Sequence, residues 1–366
     1  MRIGLVVYGD INTISGGYLY DRKLVEIFRQ QGDEVSIISL KKTSYIKALC
    51  SNSIPRELEK FGAYAGQKLD ILIQDELVYP SFWKINRKLK QLLKCPIVSL
   101  VHLLSSAIPN NYCKKIMCQV VEKRYLKSID GLILNSEETL KQANKLLSNK
   151  LPPNLIAVPC GNNFKKTETA SKDYLKKQLK ILFVGNITQQ KGLHVLIKAM
   201  YKLKNMNISL SVVGREDLDL NYIKNIKTYI KINELGNQIV FYGSLTDENL
   251  QQKYLEHDVF VLPSVNEAYG IVFLEAMQFC MPVIGCKLGG AKEIINEGDN
   301  GYLIDPDDSD KLAELIILLN NDRQLLSQIS ESARQKYLHH PTWNESISKI
   351  RKFLQELTIE KEAAFG

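Results

Sequence analysis

The 366-residue chain has no run of apolar residues approaching the ~18 that a bilayer-crossing helix needs. Its start, MRIGLVVYGDINT, lacks the longer apolar region and small-residue cleavage site of a signal peptide, and reads on as a strand entering a loop. The seven cysteines (Cys50, Cys95, Cys113, Cys118, Cys160, Cys280, Cys286) never form Cys-x-x-Cys, and no His/Cys cluster has zinc spacing. Their odd number and mostly apolar surroundings read as buried thiols in a reducing cytoplasm rather than disulfides or a zinc site. A Walker loop, a G-x-G-x-x-G fingerprint and a nucleophile elbow are all missing. So are solenoid-length repeats and low-complexity tracts.

What is present is the composition of an ordinary globular protein, 45% hydrophobic and 24% charged, with length for two domains. The net charge of +8 is uneven. Residues 1–170 hold 25 Lys+Arg against 15 Asp+Glu, and residues 171–366 hold 23 against 25. The first half therefore faces something anionic, an acceptor or the inner face of a membrane, with no sign of nucleic acid recognition.

RIGLVVYG (2–9) is an unbroken apolar run, as expected of a central parallel strand. A loop with Gly16-Gly17, a helical pattern over 18–31 and the strand EVSIISL (34–40) complete one βαβ unit. Gly16 and Gly17 lie at the carboxyl end of the strand, where open α/β sheets bind ligands; turn formation alone explains them equally well. LDILIQDE (69–76), PIVSLVHLL (96–104), DGLILNS (130–136) and NLIAVPCGNNF (154–164) supply further strands, and His102 sits at such a strand tip. His194, His257, His339 and His340 have no such context and read as structural. PSFWKINRKLKQLLK (80–94) reads as one basic amphipathic helix, either a solvated outer helix or one resting on an anionic surface. CKKIMCQVVEKRYLKS (113–128) is a second Lys/Arg-rich helix.

The pattern then restarts. The expected domains are 1–166, a linker over 167–179, and 180–340, with a C-terminal helix over 341–366 packing back toward the first domain. KILFVGN, ISLSVVG, QIVFYG, DVFVLPS, PVIGC and GYLID are the strands of the second half, with helices over 193–203, 309–319 and 343–357. Two β/α domains of this kind imply two parallel sheets with a cleft between them.

PSVNEAYGIVFLEAMQFCMP (263–282) carries the chemistry. After an apolar strand, Glu267 and Glu275 bracket a helix start at Gly270, whose free N–H groups and dipole suit a phosphate. The carboxylates suit hydroxyl groups attached to that phosphate. Lys191, beside Gly192 in the loop after KILFVGN, can reach the phosphate as a point charge. Asp217-Leu218-Asp219 and Asp305-Pro306-Asp307-Asp308 read as helix-start and turn aspartates rather than metal ligands. The residues themselves lead to a two-domain α/β protein binding a phosphorylated, hydroxyl-rich ligand.

FVGNITQQKGLHVLIKA, YGSLTDENL, DVFVLPSVNEAYGIVFLEAM, PVIGCKLGGAKEII and NGYLIDPDD, in that order, resemble the C-terminal domain of the retaining glycosyltransferases of family four. SGGYLYDRKLVEIFRQQGDEVSII resembles their N-terminal glycine loop, helix and second strand, more loosely. The resemblance spans nearly the whole chain, and its Glu-x7-Glu signature is specific. It implies the GT-B fold, two Rossmann-like domains facing across a cleft. It further implies hexosyl transfer from a nucleoside-diphosphate sugar, UDP-linked by preference, to a glycan or lipid-linked acceptor in cell-surface polysaccharide or glycolipid synthesis. No metal or other cofactor is expected, and the setting is cytoplasmic or peripheral on the inner membrane face.

By the same resemblance Glu275 binds the ribose, and Glu267 contacts the donor sugar and faces its reacting carbon. Lys191 neutralises the diphosphate, and backbone around Gly270, Ile271 and Val272 holds sugar and diphosphate. Gly185 and Asn186 belong to the donor loop, while Gly243 to Leu245 lie near the base. In the first domain Gly16 and Gly17 let the loop approach the diphosphate, and His102 touches the sugar. Asn186 stands where many members have arginine, so one cation is missing, with Arg215 at a nearby strand end as a substitute. Cys280 stands where glycine is common. A sugar-nucleotide-binding protein without transfer activity and a GT-B-fold epimerase are the competing readings.

Overall fold

The computed structural model describes residues 1–13, 15–62, 68–107, 112–161, 163–164, 178–265 and 267–365. The linker expected over 167–179 falls almost wholly outside the described residues. The chain divides into two compact units, Met1–Pro159 with Trp343–Gly366, and Cys160–Thr342.

The first unit is built on a six-stranded parallel sheet of β1 (Arg2–Tyr8), β2 (Glu34–Leu40), β3 (Ile71–Asp75), β4 (Ile97–Val101), β5 (Gly131–Leu134) and β6 (Asn154–Ile156), in the order β2-β1-β3-β4-β5-β6. The apolar runs become the inner strands. Every residue of β3, β4 and β5 is buried, whereas edge strand β2 alternates. That is the pattern of a sheet covered on both faces, each large aliphatic side chain contributing roughly 1.5–3 kcal/mol on burial. Ser15 caps the helix Gly16–Gln30, its hydroxyl accepting from Tyr18 N at 3.3 Å, and Tyr20, Leu24, Ile27 and Phe28 face inward.

The long helix Trp343–Phe365 belongs to this unit. Arg351 donates twice to Asp33, from Nε at 2.7 Å and from Nη2 at 3.0 Å, and Lys361 reaches Asp130 at 3.0 Å. Gly131 packs under this helix, a Cβ there lying 2.7 Å from Leu357 Cδ1.

The single amphipathic helix expected over 80–94 is broken into Tyr79–Phe82 and Asn86–Leu93. The side chain of Asn86, at the start of the second piece, is drawn into a buried network with Gln74 and Ser128. Phe82, Ile85 and Leu89 are at most 1% exposed, so its apolar face is sheet-facing and unavailable to a membrane.

The second unit has β7 (Leu179–Val184), β8 (Ile208–Val213), β9 (Ile239–Phe241), β10 (Val259–Leu262), β11 (Val283–Cys286) and β12 (Gly301–Ile304), all parallel, in the order β12-β11-β10-β7-β8-β9. Both sheets are therefore doubly wound. Their order reverses between β1 and β3 in the first unit and between β7 and β10 in the second, and ligands bind such sheets beyond the strand carboxyl ends at the reversal. A helix not read from the sequence, Arg323–Leu338, follows Ser309–Asn321. Its buried face is Leu326, Ile329, Ser330 and Ala333, half of it small or polar, which leaves little apolar periodicity to read. Among the described residues no helix is long and apolar enough to cross a membrane.

Candidate functional site

In the second unit, the loops after β7 and β10 meet at the reversal point. Lys191 ends a single 3₁₀ turn, Gln189–Lys191. That turn is pinned from the other loop, for Ser264 Oγ and Val265 N both donate to the Gln190 carbonyl, at 3.1 and 3.0 Å. Gly192 follows at φ 72°, where a Cβ would lie 2.2 Å from the Pro263 carbonyl oxygen. The result is direct contact: Lys191 Nζ pairs with Glu267 Oε1. Gly185 lies beneath the lysine stem, a Cβ there being 3.7 Å from Lys191 Cδ, and Asn186 is half-buried next to it.

Glu267 rests on a glycine turn that sequence reading had not singled out. Gly290 N donates to the Glu267 carbonyl at 2.8 Å, and Gly289, at φ 80°, would place a Cβ 2.6 Å from that oxygen. Gly270, at φ 97°, then starts the helix Ile271–Gln278 without a side-chain cap, and Ile271 and Val272 are half-buried. Phe273 N donates to the Gly270 carbonyl at 2.9 Å, so the N–H groups of Ile271 and Val272 are the ones offered to a ligand.

Glu275 lies one turn on and is 7% exposed. Its Oε1 accepts from Asn163 Nδ2 at 2.7 Å and its Oε2 from Tyr254 OH at 3.0 Å. Burial raises its pKa, and these two donors pull it back down. Neither Asn163 nor Tyr254 was legible as a partner, since 112 and 21 residues separate them from Glu275. Gly243 and Leu245 follow β9 at the same sheet edge, and Gly214 N donates to the Gly243 carbonyl at 2.8 Å.

In the first unit, Gly16 and Gly17 open the helix after β1, and His102 directly follows β4. Gly17 packs on the imidazole, where a Cβ would sit 3.2 Å from His102 Cδ2. The ring's Nε2 lies 3.1 Å from Asp21 Oδ1 and 3.8 Å from Asp75 Oδ2, with Tyr20 edge-on at 5.3 Å. Both carboxyls are buried. Burial pushes Asp21 up to about 7 and Asp75 well above the usual carboxylate range. Burial also lowers the pKa of His102, against the opposing charge of Asp75. These acids were missed because Asp21 falls mid-helix and Asp75 ends an apolar strand. The available signal was the acidic pair Asp75-Glu76 closely following the apolar run Ile71-Leu72-Ile73.

Among the described residues, Asp21, Asp75 and His102 are the one group of three such side chains close enough to hold a cation. The two Asp-x-Asp stretches are occupied otherwise. Asp219 and Asp308 cap helices, Asp305 pairs with Lys287, and Asp217 holds Arg215 by two bonds of 3.0 and 2.8 Å. The pair is exposed, so Arg215 rests its guanidinium on Asp217 at the surface. Its backbone does border the Asn186 loop, accepting from Ile187 N at 2.9 Å. His194 bonds Tyr222 and Asp307, His257 bonds Ser211, and His340 meets the Tyr269 hydroxyl.

The family model for glycosyl transferases group 1 matches residues 164–336. An uncharacterized glycosyltransferase of Methanocaldococcus jannaschii is 32% identical over 181 residues, 49% of this chain and 45% of that protein. The chain spans half or less of the length of the curated relatives that align on it in this way. Sucrose-phosphate synthase from Thermosynechococcus elongatus superposes with a TM-score of 0.81 at 22% identity, covering 98% of this chain and 99% of that one. HepE of Anabaena, solved with UDP and glucose, gives 0.76 at 17% identity, covering 97% and 100%. Such likenesses establish the GT-B fold.

Proposed function

We propose that the chain, whose residues 164–336 match the model for glycosyl transferases group 1, is a retaining hexosyltransferase of that family. The donor is a nucleoside-diphosphate hexose, UDP-linked by preference, and the acceptor a hydroxyl of a glycan or lipid-linked saccharide. The observation that carries this reading is the second unit's site: the Lys191–Glu267 pair and the buried Glu275 on either side of the uncapped helix start at Gly270. Three kinds of group are needed to hold such a donor: a cation and N–H donors for the diphosphate, and acceptors for hydroxyls on each side.

In this reading Glu275 takes the ribose, held ready by Asn163 and Tyr254, and the helix start with Lys191 takes the diphosphate. Glu267 faces the transferred sugar. Same-face attack, with the departing phosphate oxygen accepting the acceptor's proton, leaves the protein a mainly electrostatic task. Lys191 and the N–H groups supply that stabilisation without a metal. Glu267→Ala should abolish release of nucleoside diphosphate from a sugar nucleotide in a coupled assay; turnover within about tenfold of wild type, roughly 1.4 kcal/mol of barrier, removes Glu267 from the mechanism.

In this reading the acceptor sits at an anionic membrane surface. The helix Tyr112–Leu126 supports this, exposing Ile116 (41%), Met117 (37%) and Val120 (45%) with Lys115 and Lys123 on the same helix. Apolar side chains among cations suit a headgroup boundary. Co-sedimentation with anionic but not zwitterionic vesicles, weakened by salt and by Ile116→Ser with Val120→Ser, is expected; equal binding to both vesicle types contradicts it.

A further inference from the structure

Asp21 and Asp75 present a problem of charge. They come from different elements, the helix Gly16–Gln30 and the end of β3, and their side chains are 0% and 2% exposed. Two ionised carboxylates facing each other there would repel in a medium that screens poorly, and neither meets a lysine or arginine. Arg22, next to Asp21, turns its guanidinium to the carbonyls of Ile11 and Thr13. The hydrogen bonds divide the pair unequally. Asp75 Oδ1 accepts from Leu77 N at 2.7 Å and Asp21 Oδ1 meets His102 Nε2, whereas among the described residues Oδ2 of each acid has no N–H or hydroxyl partner. One oxygen of each carboxyl lies within 4.8 Å of one of the other's. One proton between them satisfies both oxygens and leaves one negative charge in place of two.

We propose that Asp21 and Asp75 share a single proton, Asp75 as the acid and Asp21 as the carboxylate, and that Asp21 thereby fixes His102 as its Nε2–H tautomer. His102 Nδ1 is then a lone-pair acceptor, and no described residue donates to it. An imidazole so held accepts a hydrogen bond from a ligand hydroxyl and cannot donate one from that nitrogen. Resting on the proposed hexosyl transfer, this makes a sugar hydroxyl the group recognised, and Asp21 and Asp75 positioning residues that act through His102. The other charged or titratable groups around the pair are Tyr18 on the same helix, Glu76 beyond β3, and Glu122 and Tyr125 on the helix Tyr112–Leu126. Glu76 and Glu122 form a second acid pair, in which Glu122 accepts from Ser105 N at 2.6 Å and Ser106 N at 3.1 Å.

The test is ¹⁵N NMR of the histidine-labelled 366-residue chain at pH 8, above the value of about 7 at which Asp21 ionises. His102 should show the Nε2–H tautomer in wild type and in Asp75→Asn, whose amide still donates to Asp21. Asp21→Leu should release it to a tautomer mixture and lower turnover of the sugar nucleotide roughly ten- to hundredfold, as when a partner that orients a histidine is removed. An imidazolium or an Nδ1–H tautomer in the wild type overturns the proposal, as does loss of the tautomer in Asp75→Asn. A stoichiometric divalent cation whose removal by chelator shifts the His102 resonances overturns it as well. Because the tautomer is read without substrate, absence of transferase activity counts against the functional reading and not against this arrangement.

Discussion

Tyr254 is wholly buried and spends its hydroxyl on Glu275, which lets one residue separate ribose binding from diphosphate binding. Tyr254→Phe leaves Glu275 Oε2 short of a donor, a loss of about 1–3 kcal/mol for a buried acceptor. The expected outcome is a matching fall in stability by urea unfolding and weaker UDP binding by calorimetry, with pyrophosphate binding unchanged. Equal weakening of both ligands takes Glu275 away from the ribose. Asn186 permits the opposite experiment. It follows Gly185, which lies against the Lys191 stem, and its loop is tied to Arg215 by the bond from Ile187 N to the Arg215 carbonyl at 2.9 Å. Asn186→Arg adds a charge-assisted donor at the diphosphate, so the KM for sugar nucleotide should fall roughly tenfold, about 1.4 kcal/mol. An unchanged KM means that residue 186 does not face the diphosphate.

The elements that depend most on distant sequence are the C-terminal helix and the glycine turns. Asp33 is buried between Arg351 and the N-terminal amine, and although burial opposes ionisation, their hydrogen bonds hold its carboxyl below its ordinary value. A depressed carboxyl stabilises the fold above the unfolded pKa, and this is lost as pH falls through the folded pKa. Arg351→Ala should therefore cost about 1.5–3 kcal/mol near pH 7, the range for a hydrogen bond to a charged group, and progressively less as pH falls below about 4 and through the folded pKa of Asp33. The strands were legible in sequence because each buried parallel strand is a short apolar run between turn residues, and the GIVFLEAM helix start because Gly270 divides the polar loop after the strand from a run without alternation. The charge partners were not. Asp33 with Arg351, Asp21 with His102 and Glu275 with Asn163 are each brought together by the topology of the fold over at least 81 residues of sequence. The turn Gly289-Gly290 was visible as letters, but its role appears only when Glu267 is seen lying on it.

Across the whole molecule, buried acids with raised pKa values are concentrated at the ligand edge of the first sheet: Asp21, Asp75, Glu76 and Glu122. A carboxyl whose folded pKa is raised gives stability that is complete below its unfolded value, near 4, and is lost as pH rises through the folded value. For Asp21 that value is about 7. His102 works in the other direction, since its lowered pKa withdraws stability as pH drops below about 6.5. Arg22 offsets part of the cost of ionising Asp21, and the ionisations of Tyr18 and Tyr125 are held above their ordinary range. The net expectation is a urea midpoint that peaks at mildly acidic pH and declines toward pH 9, in a protein whose surface acids would give a flat profile. Asp75→Asn removes the repulsion that makes the second ionisation costly, so it should flatten the decline by on the order of 1–2 kcal/mol. A wild-type midpoint that stays level or climbs between pH 6 and 9 would show these carboxylates to be ionised already in the folded state.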